Sequence, residues 1–176
     1  MHKAILPECF ADTLLIETLV PTQVGYNHKH SCTAVAKEMK TGQLQDKFAL
    51  GIIDKDKDSL PYLKEFEVLS ICESGLILLK HKEKHHYFIQ INPALEKWIL
   101  SICEKAGINI EEFGLEHSLS GLKKHTKSVA SIKDKKLKNT FAAINERAAD
   151  VEEVKKLKKW VVMLRDKNYN IDIKEL

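Results

Sequence analysis

No run of 18 apolar residues occurs in the 176-residue chain, so the sequence offers no candidate membrane-spanning helix. The first apolar segment is short and is interrupted by Glu8 and Asp12, which argues against a secretory signal peptide. Repeats and low-complexity tracts are also lacking. Cys9, Cys32, Cys72 and Cys103 are widely spaced and form no Cys-x-x-Cys pair. Such usage suits a reduced, cytoplasmic protein rather than a disulfide scaffold. There is no Gly-x-x-x-x-Gly-Lys phosphate loop. Apolar residues make up 44% of the sequence, enough for a real core in one domain or one domain with an extension.

What is present is led by the stretch Phe48-Ala49-Leu50-Gly51-Ile52-Ile53-Asp54, followed by Asp56 and Asp58. An apolar run of strand length ends in three carboxylates at alternate positions. Side chains alternate along a strand, so an extended continuation would point all three acids the same way. Their mutual repulsion is relieved by a cation, and a divalent ion held by carboxylates can bridge to phosphate oxygens. Asp54, Asp56, Asp58 and Glu65 also match positions of a calcium-binding EF-hand loop. Ser59 stands where that loop needs Gly, Pro61 follows, and a strand rather than a helix precedes, all of which disfavour it.

A second acid lies near the N-terminus. The short apolar segment of residues 4–6 ends at Pro7 and Glu8, and Leu15, Ile16 and Leu19 then recur at helical spacing, with Asp12 or Thr13 as the expected N-cap. Residues 33–40 suffice for the crossover helix that parallel strands need. If the two strands are parallel neighbours, Glu8 and Asp54 converge at the carboxyl end of the sheet, where open α/β sheets bind ligands.

This order of strand, glutamate and helix, then an apolar strand ending in Asp-x-Asp, resembles the toprim family. That family includes topoisomerases, bacterial primases and nucleases of the overcoming-lysogenization-defect (OLD) type. The resemblance is carried by residues 3–20 and 47–58. It implies an α/β fold with a toprim-like central, largely parallel sheet flanked by helices. It also implies Glu8 as general acid/base, Asp54 and Asp56 as ligands of Mg2+ or Mn2+ with Asp58 in support, and a nucleic-acid phosphodiester as substrate. Two departures stand out: Cys9 occupies the place where the family carries Gly, and Pro7 precedes the acid. They favour the alternative of a catalytically inactive toprim-like module that binds nucleic acid or a partner protein, such as the ATPase alongside which OLD-type nucleases work.

Farther along, residues 66–71 are predicted as a third strand, and residues 76–81 and 86–91 as a hairpin. A helix is expected to start at Asn92 or Pro93, with Leu95, Trp98, Ile99 and Ile102 on one face, and to end near Gly107. Residues 1–107 are thus assigned to a toprim-like α/β domain and residues 108–176 to a helical, lysine-rich extension. In that extension Val154, Leu157, Val161 and Leu164 form an apolar stripe, which would serve a partner if left uncovered.

Charge is unevenly spread. Residues 1–100 carry 12 Lys and Arg against 13 Asp and Glu, whereas residues 101–176 carry 16 against 12. Lys123, Lys124, Lys127, Lys133, Lys135, Lys136 and Lys138 make the candidate surface for nucleic acid, opposed nearby only by Asp134. Aromatics do not interleave with them, so base stacking is not expected there. His28, His30 and Cys32 lack a standard zinc pattern; the two histidines are assigned to the surface or to substrate.

Overall fold

The computed structural model describes residues 2–55, 60–72 and 75–176. Five strands, β1 (Ile5–Pro7), β2 (Ala49–Asp54), β3 (Phe66–Cys72), β4 (Leu76–His81) and β5 (His86–Ile91), form one sheet in the order β1-β2-β5-β4-β3. β1 pairs in parallel with β2, and β2 with β5; β5–β4 and β4–β3 are antiparallel. The sheet is therefore mixed, not largely parallel. The cause is local: short links join β3 to β4 and β4 to β5, and links of that length permit only antiparallel neighbours.

Side-chain alternation divides the core between the two faces. From β2, Leu50 and Ile52 enter the larger cluster, while Ala49 and Ile53 enter the smaller. The smaller face is covered by α2 (Cys32–Thr41), through Val35, Ala36 and Met39, together with Tyr62. Gly51 lies on this face, where a Cβ would stand 2.4 Å from the Phe88 ring. The larger face is covered by α1 (Phe10–Leu19), α3 (Leu95–Lys105), α5 (Lys135–Arg147) and α6 (Glu152–Lys167); the short α4 (Leu119–Thr126) packs beside α3.

Val154, Leu157, Val161 and Leu164 are buried in the same cluster as Ile52 and Ile89, so the apolar stripe of α6 is consumed inside the chain rather than offered to a partner. No helix among the described residues is long and apolar enough to cross a membrane.

The N-cap of α1 is Cys9, not Asp12 or Thr13. Cys9 holds the extended backbone of a cap, its Sγ accepts the Asp12 N–H at 3.4 Å, and Asp12 Oδ2 accepts the Cys9 N–H at 3.1 Å. Asp12 is thus the third helical residue of a capping box, and the helix starts one turn earlier than its apolar spacing suggests. Similarly, α3 starts at Leu95, after Ala94, rather than at Asn92 or Pro93.

Candidate functional site at the carboxyl ends of β1 and β2

Glu8 follows the last residue of β1, and Asp54 is the last residue of the neighbouring parallel strand β2. Parallel pairing brings the two acids to one end of the sheet, as the sequence order anticipated. The Glu8 N–H donates to Ile52 O at 2.9 Å, which continues the ladder one residue beyond β1. In return the Asp54 N–H donates to Glu8 Oε2 at 3.3 Å. Both acids are buried, at 6% and 4% exposure. Asp56 and Asp58 lie outside the described residues.

Two further acids, which the sequence reading did not assign to the site, stand behind this pair. Asp12 is 2% exposed and Glu96 1%. Asp12 reaches the cluster from the first turn of α1, and its Oδ1 has no hydrogen-bond partner among the described residues. Burial pushes the Asp12 carboxyl up to about 8, reinforced by the charges of Asp54 and Glu8. Asp54 is raised to about 6, again by burial first; Lys127 opposes the rise and Glu8 adds to it. Two carboxylates crowded in a dry site cannot both ionise freely.

Lys127, at the end of α4, supplies the counter-charge. Its Nζ lies 3.7 Å from Asp54 Oδ2 and 3.5 Å from Glu96 Oε1. Burial of its stem works against the charge, but Glu96 and Asp54 outweigh it and hold the ammonium above its usual range. Thr126 Oγ1 donates to the same Glu96 oxygen. Asp54 Oδ1 accepts the Leu95 N–H at 2.9 Å, so this carboxylate is engaged on both oxygens.

A cavity of about 280 Å³ opens beside this cluster, lined by Glu8, Cys9, His28, His30, Thr126 and Lys127 among others. Asp54 is not among the lining residues and meets the cavity through Lys127. The His28 ring stacks on Phe10, with centroids 3.8 Å apart, and His30 meets His28 edge-on at 4.5 Å. Burial and the neighbouring His30 and Lys29 charges lower the His28 pKa. The two histidines reach the cavity because residues 27–30 run beside β1: the Asn27 N–H donates to Ile5 O at 3.1 Å and the Lys29 N–H to Pro7 O at 2.9 Å. No sequence periodicity marks this segment, so its place was not readable in advance. Cys32 is the first residue of α2, with Ser31 as its N-cap.

Of the seven lysines singled out by sequence, Lys127 is the one that lines this cavity. Lys124 pairs with Glu116 at 2.7 Å, and Lys123, Lys133, Lys135, Lys136 and Lys138 are exposed. Glu65, the last position of the calcium-loop pattern, pairs with Lys40 and His81.

The donor chemistry of the cluster, carboxylate oxygens with one orphaned lone-pair site on Asp12, suits a hard divalent cation. Among the described residues, however, no three His, Cys, Asp or Glu side chains form a group that could hold a metal ion. Without a metal, the cavity still sets a carboxylate, an ammonium and two imidazoles around one space. That set can bind an anion and move a proton. Compared with known proteins, the chain matches no family model, no curated protein and no solved structure.

Proposed function

We propose that the chain is a toprim-like, Mg2+- or Mn2+-dependent nuclease acting on phosphodiesters of DNA or RNA. The observation that carries this reading is the placement of Glu8 and Asp54 at the carboxyl ends of two adjacent parallel strands, joined by the Asp54 N–H to Glu8 Oε2 bond. In this reading Glu8, which lines the cavity, handles the proton. Lys127 and the histidines attract and orient the phosphate. Asp54 and Asp12, with Asp56 and Asp58 from the following segment, would hold the divalent ion, and the exposed lysines of residues 123–138 hold the rest of the strand. Bound there, the ion would neutralise phosphate charge and favour attack on phosphorus.

Incubation of wild-type chain and Glu8→Gln with labelled single-stranded and duplex DNA and RNA, with Mg2+, Mn2+ or chelator, tests the proposal. Metal-dependent cleavage that falls by roughly 10²-fold or more in Glu8→Gln is expected of a general acid/base. Cleavage unaffected by Glu8→Gln overturns the assignment.

A second reading is favoured by a specific observation. Both Asp54 oxygens are already engaged, by Leu95 and by Lys127, so Asp54 itself is satisfied within an internal ion-pair network. A catalytically inactive toprim-like module that binds nucleic acid or a partner protein, such as an ATPase, would have that arrangement. It predicts nucleic-acid or partner binding unaffected by Glu8→Gln and no cleavage with any metal.

A further inference from the structure

A cavity of about 660 Å³ lies on the other side of the segment that supplies His28 and His30. Its lining includes Lys3, Asn27, Lys29, Lys47, Phe48 and Tyr169. Residues 27–30 lie extended beside β1, and their side chains alternate between the two cavities. His28 and His30 line the Glu8 cavity, Asn27 and Lys29 the basic one. One short segment therefore forms the wall between the Glu8 cavity and a lysine-lined one.

The charges in the second cavity do not cancel. Lys29 is paired with Glu38 at 3.2 Å. Lys3 and Lys47 form no ion pair among the described residues and are exposed. Asn27 Nδ2 is tied to Lys3 O at 3.0 Å, which fixes the start of the wall. The Tyr169 hydroxyl accepts the Phe48 N–H at 2.7 Å, and this bond holds a ring that is still 51% exposed at the rim. His85 braces that ring edge-on, with centroids 4.9 Å apart. Two unpaired ammonium groups, a side-chain amide and a pinned, half-exposed aromatic ring are the elements of a phosphate-and-base subsite.

We propose that this cavity holds the phosphates of a nucleic-acid strand next to the nucleotide seated at Glu8, with Tyr169 stacking on a base. The proposal rests on the nuclease reading for the identity of the ligand but not on any cleavage step. The two cavities sit at opposite ends of β1. Ala4 lines one and Glu8 the other, four residues or roughly 13 Å apart along the strand, within the reach of a short oligonucleotide. The basic surface assigned from sequence, residues 123–138, reaches the site from the α4 side through Lys127. The strand would therefore cross the Glu8 cavity between two lysine surfaces, one of them not visible in the linear charge pattern.

The test is fluorescence anisotropy of a short labelled single-stranded oligonucleotide, in chelator so that nothing is cut. It compares the wild-type chain, Lys3→Glu/Lys47→Glu, and the charge-matched control Lys155→Glu/Lys159→Glu on α6. Unchanged circular dichroism and melting temperature establish that each variant is folded. The expected result is roughly tenfold weaker binding for the first pair alone. Its salt dependence should be shallower by about 1.4 in log–log slope, as for two lost phosphate contacts on a single strand. Tyr169→Ala should weaken binding, and Tyr169→Phe, which keeps the ring but loses the bond to Phe48 N–H, should weaken it less. Oligonucleotide binding equal to wild type in Lys3→Glu/Lys47→Glu overturns the proposal, as does no binding by the wild-type chain. Titration with inorganic phosphate and a mononucleotide separates the remaining source. If these bind with the same lysine dependence and an oligonucleotide binds no more tightly, the strand is overturned in favour of a small phosphate compound. Lysine-dependent strand binding without cleavage under any metal upholds this cavity and overturns the nuclease reading. Cleavage that proceeds normally in Lys3→Glu/Lys47→Glu, with unchanged binding, does the reverse.

Discussion

Asp54 Oδ1 accepts the backbone N–H of Leu95 at 2.9 Å, so the acid that ends β2 also caps the first turn of α3. Ala94, the residue at the cap position of α3, offers no side-chain acceptor. A carboxylate from a distant strand fills that role, and the positive end of the helix favours its charge. The same group is therefore part of the scaffold and, in the proposed function, part of the chemistry.

These two roles separate by substitution. Asp54→Ala removes both the cap and the charge and should cost about 1–2 kcal/mol, or roughly 2–8 °C in melting temperature. Asp54→Asn keeps an acceptor for the Leu95 N–H and should cost less. Both should abolish metal-dependent cleavage. Thermal melts alongside the cleavage assay distinguish the contributions, and an active, stable Asp54→Asn would remove this residue from the chemistry.

Asp12 makes stability depend on pH in the direction opposite to an ordinary surface aspartate. It is held protonated to about pH 8 by burial and by the facing charges of Asp54 and Glu8; Cys9 and Lys127 also contact or face it. The fold thus prefers the protonated form. That contribution is fully present below the unfolded aspartate value near ~3.9 and is lost as pH rises toward 8. Asp54, raised to about 6, adds a loss that is complete at lower pH. In chelator, melting temperature should therefore decline across this window. Asp12→Asn keeps an acceptor for the Cys9 N–H and should flatten the decline and exceed wild type at pH 8. Parallel pH profiles for the two proteins would discount the buried carboxyl as the cause.

Lys127 acts as an internal counter-ion to Asp54 and Glu96, a place that a divalent ion would contest. Replacement by Gln leaves the acids closer to mutual repulsion. With half of the side chain exposed, the direct loss should be at most about 1 kcal/mol in chelator. The informative quantity is the increase in melting temperature on adding Mg2+ or Mn2+, which should be larger in Lys127→Gln than in wild type. Equal increases, or none in either protein, would mean that the ammonium does not shield a cation site.

How much of this was legible depends on the range of the interactions. The β2 strand and its terminal acid were readable because an apolar run followed by carboxylates is a local signal. So were the hairpin strands β4 and β5, and α3 to within a few residues. The adjacency of Glu8 and Asp54 followed from the room for a crossover helix between them. Asp12 was read as a cap because a short polar residue before an apolar helix usually is one. Cys9 took that place since its thiol can also accept an N–H, and Asp12 was thereby turned inward to the acids. Glu96 and Lys127 meet Asp54 only through the packing of α3 and α4, and residues 27–30 are placed by backbone bonds to β1. Neither arrangement leaves a period or a motif in the chain. The mixed sheet was implicit in the hairpin, whose antiparallel pairing outweighs the parallel order suggested by the first two strands.

Gly51 offers a test of the scaffold that carries the acids. It sits in the middle of β2, three residues before Asp54, at an ordinary strand conformation, so its lack of a side chain is a matter of space and not of backbone freedom. A Cβ built there would stand 2.4 Å from Phe88 Cε1 and 2.8 Å from Val35 Cγ1, distances at which something must move. Phe88 is fully buried on the paired strand β5, and Val35 is fully buried on α2. Neither can swing into solvent, so α2 must shift away from the sheet or the ring must leave its rotamer. Overpacking of this kind costs about 1–3 kcal/mol. Gly51→Ala should lower the urea midpoint accordingly, whereas at an unconstrained strand site the larger side chain would stabilise. The strain is on the α2 face, and Glu8 and Asp54 lie at the carboxyl end of the same strands. Cleavage per folded molecule should therefore be reduced less than stability. A Gly51→Ala protein as stable as wild type would mean that α2 is not packed against β2 as closely as Val35 and Phe88 indicate.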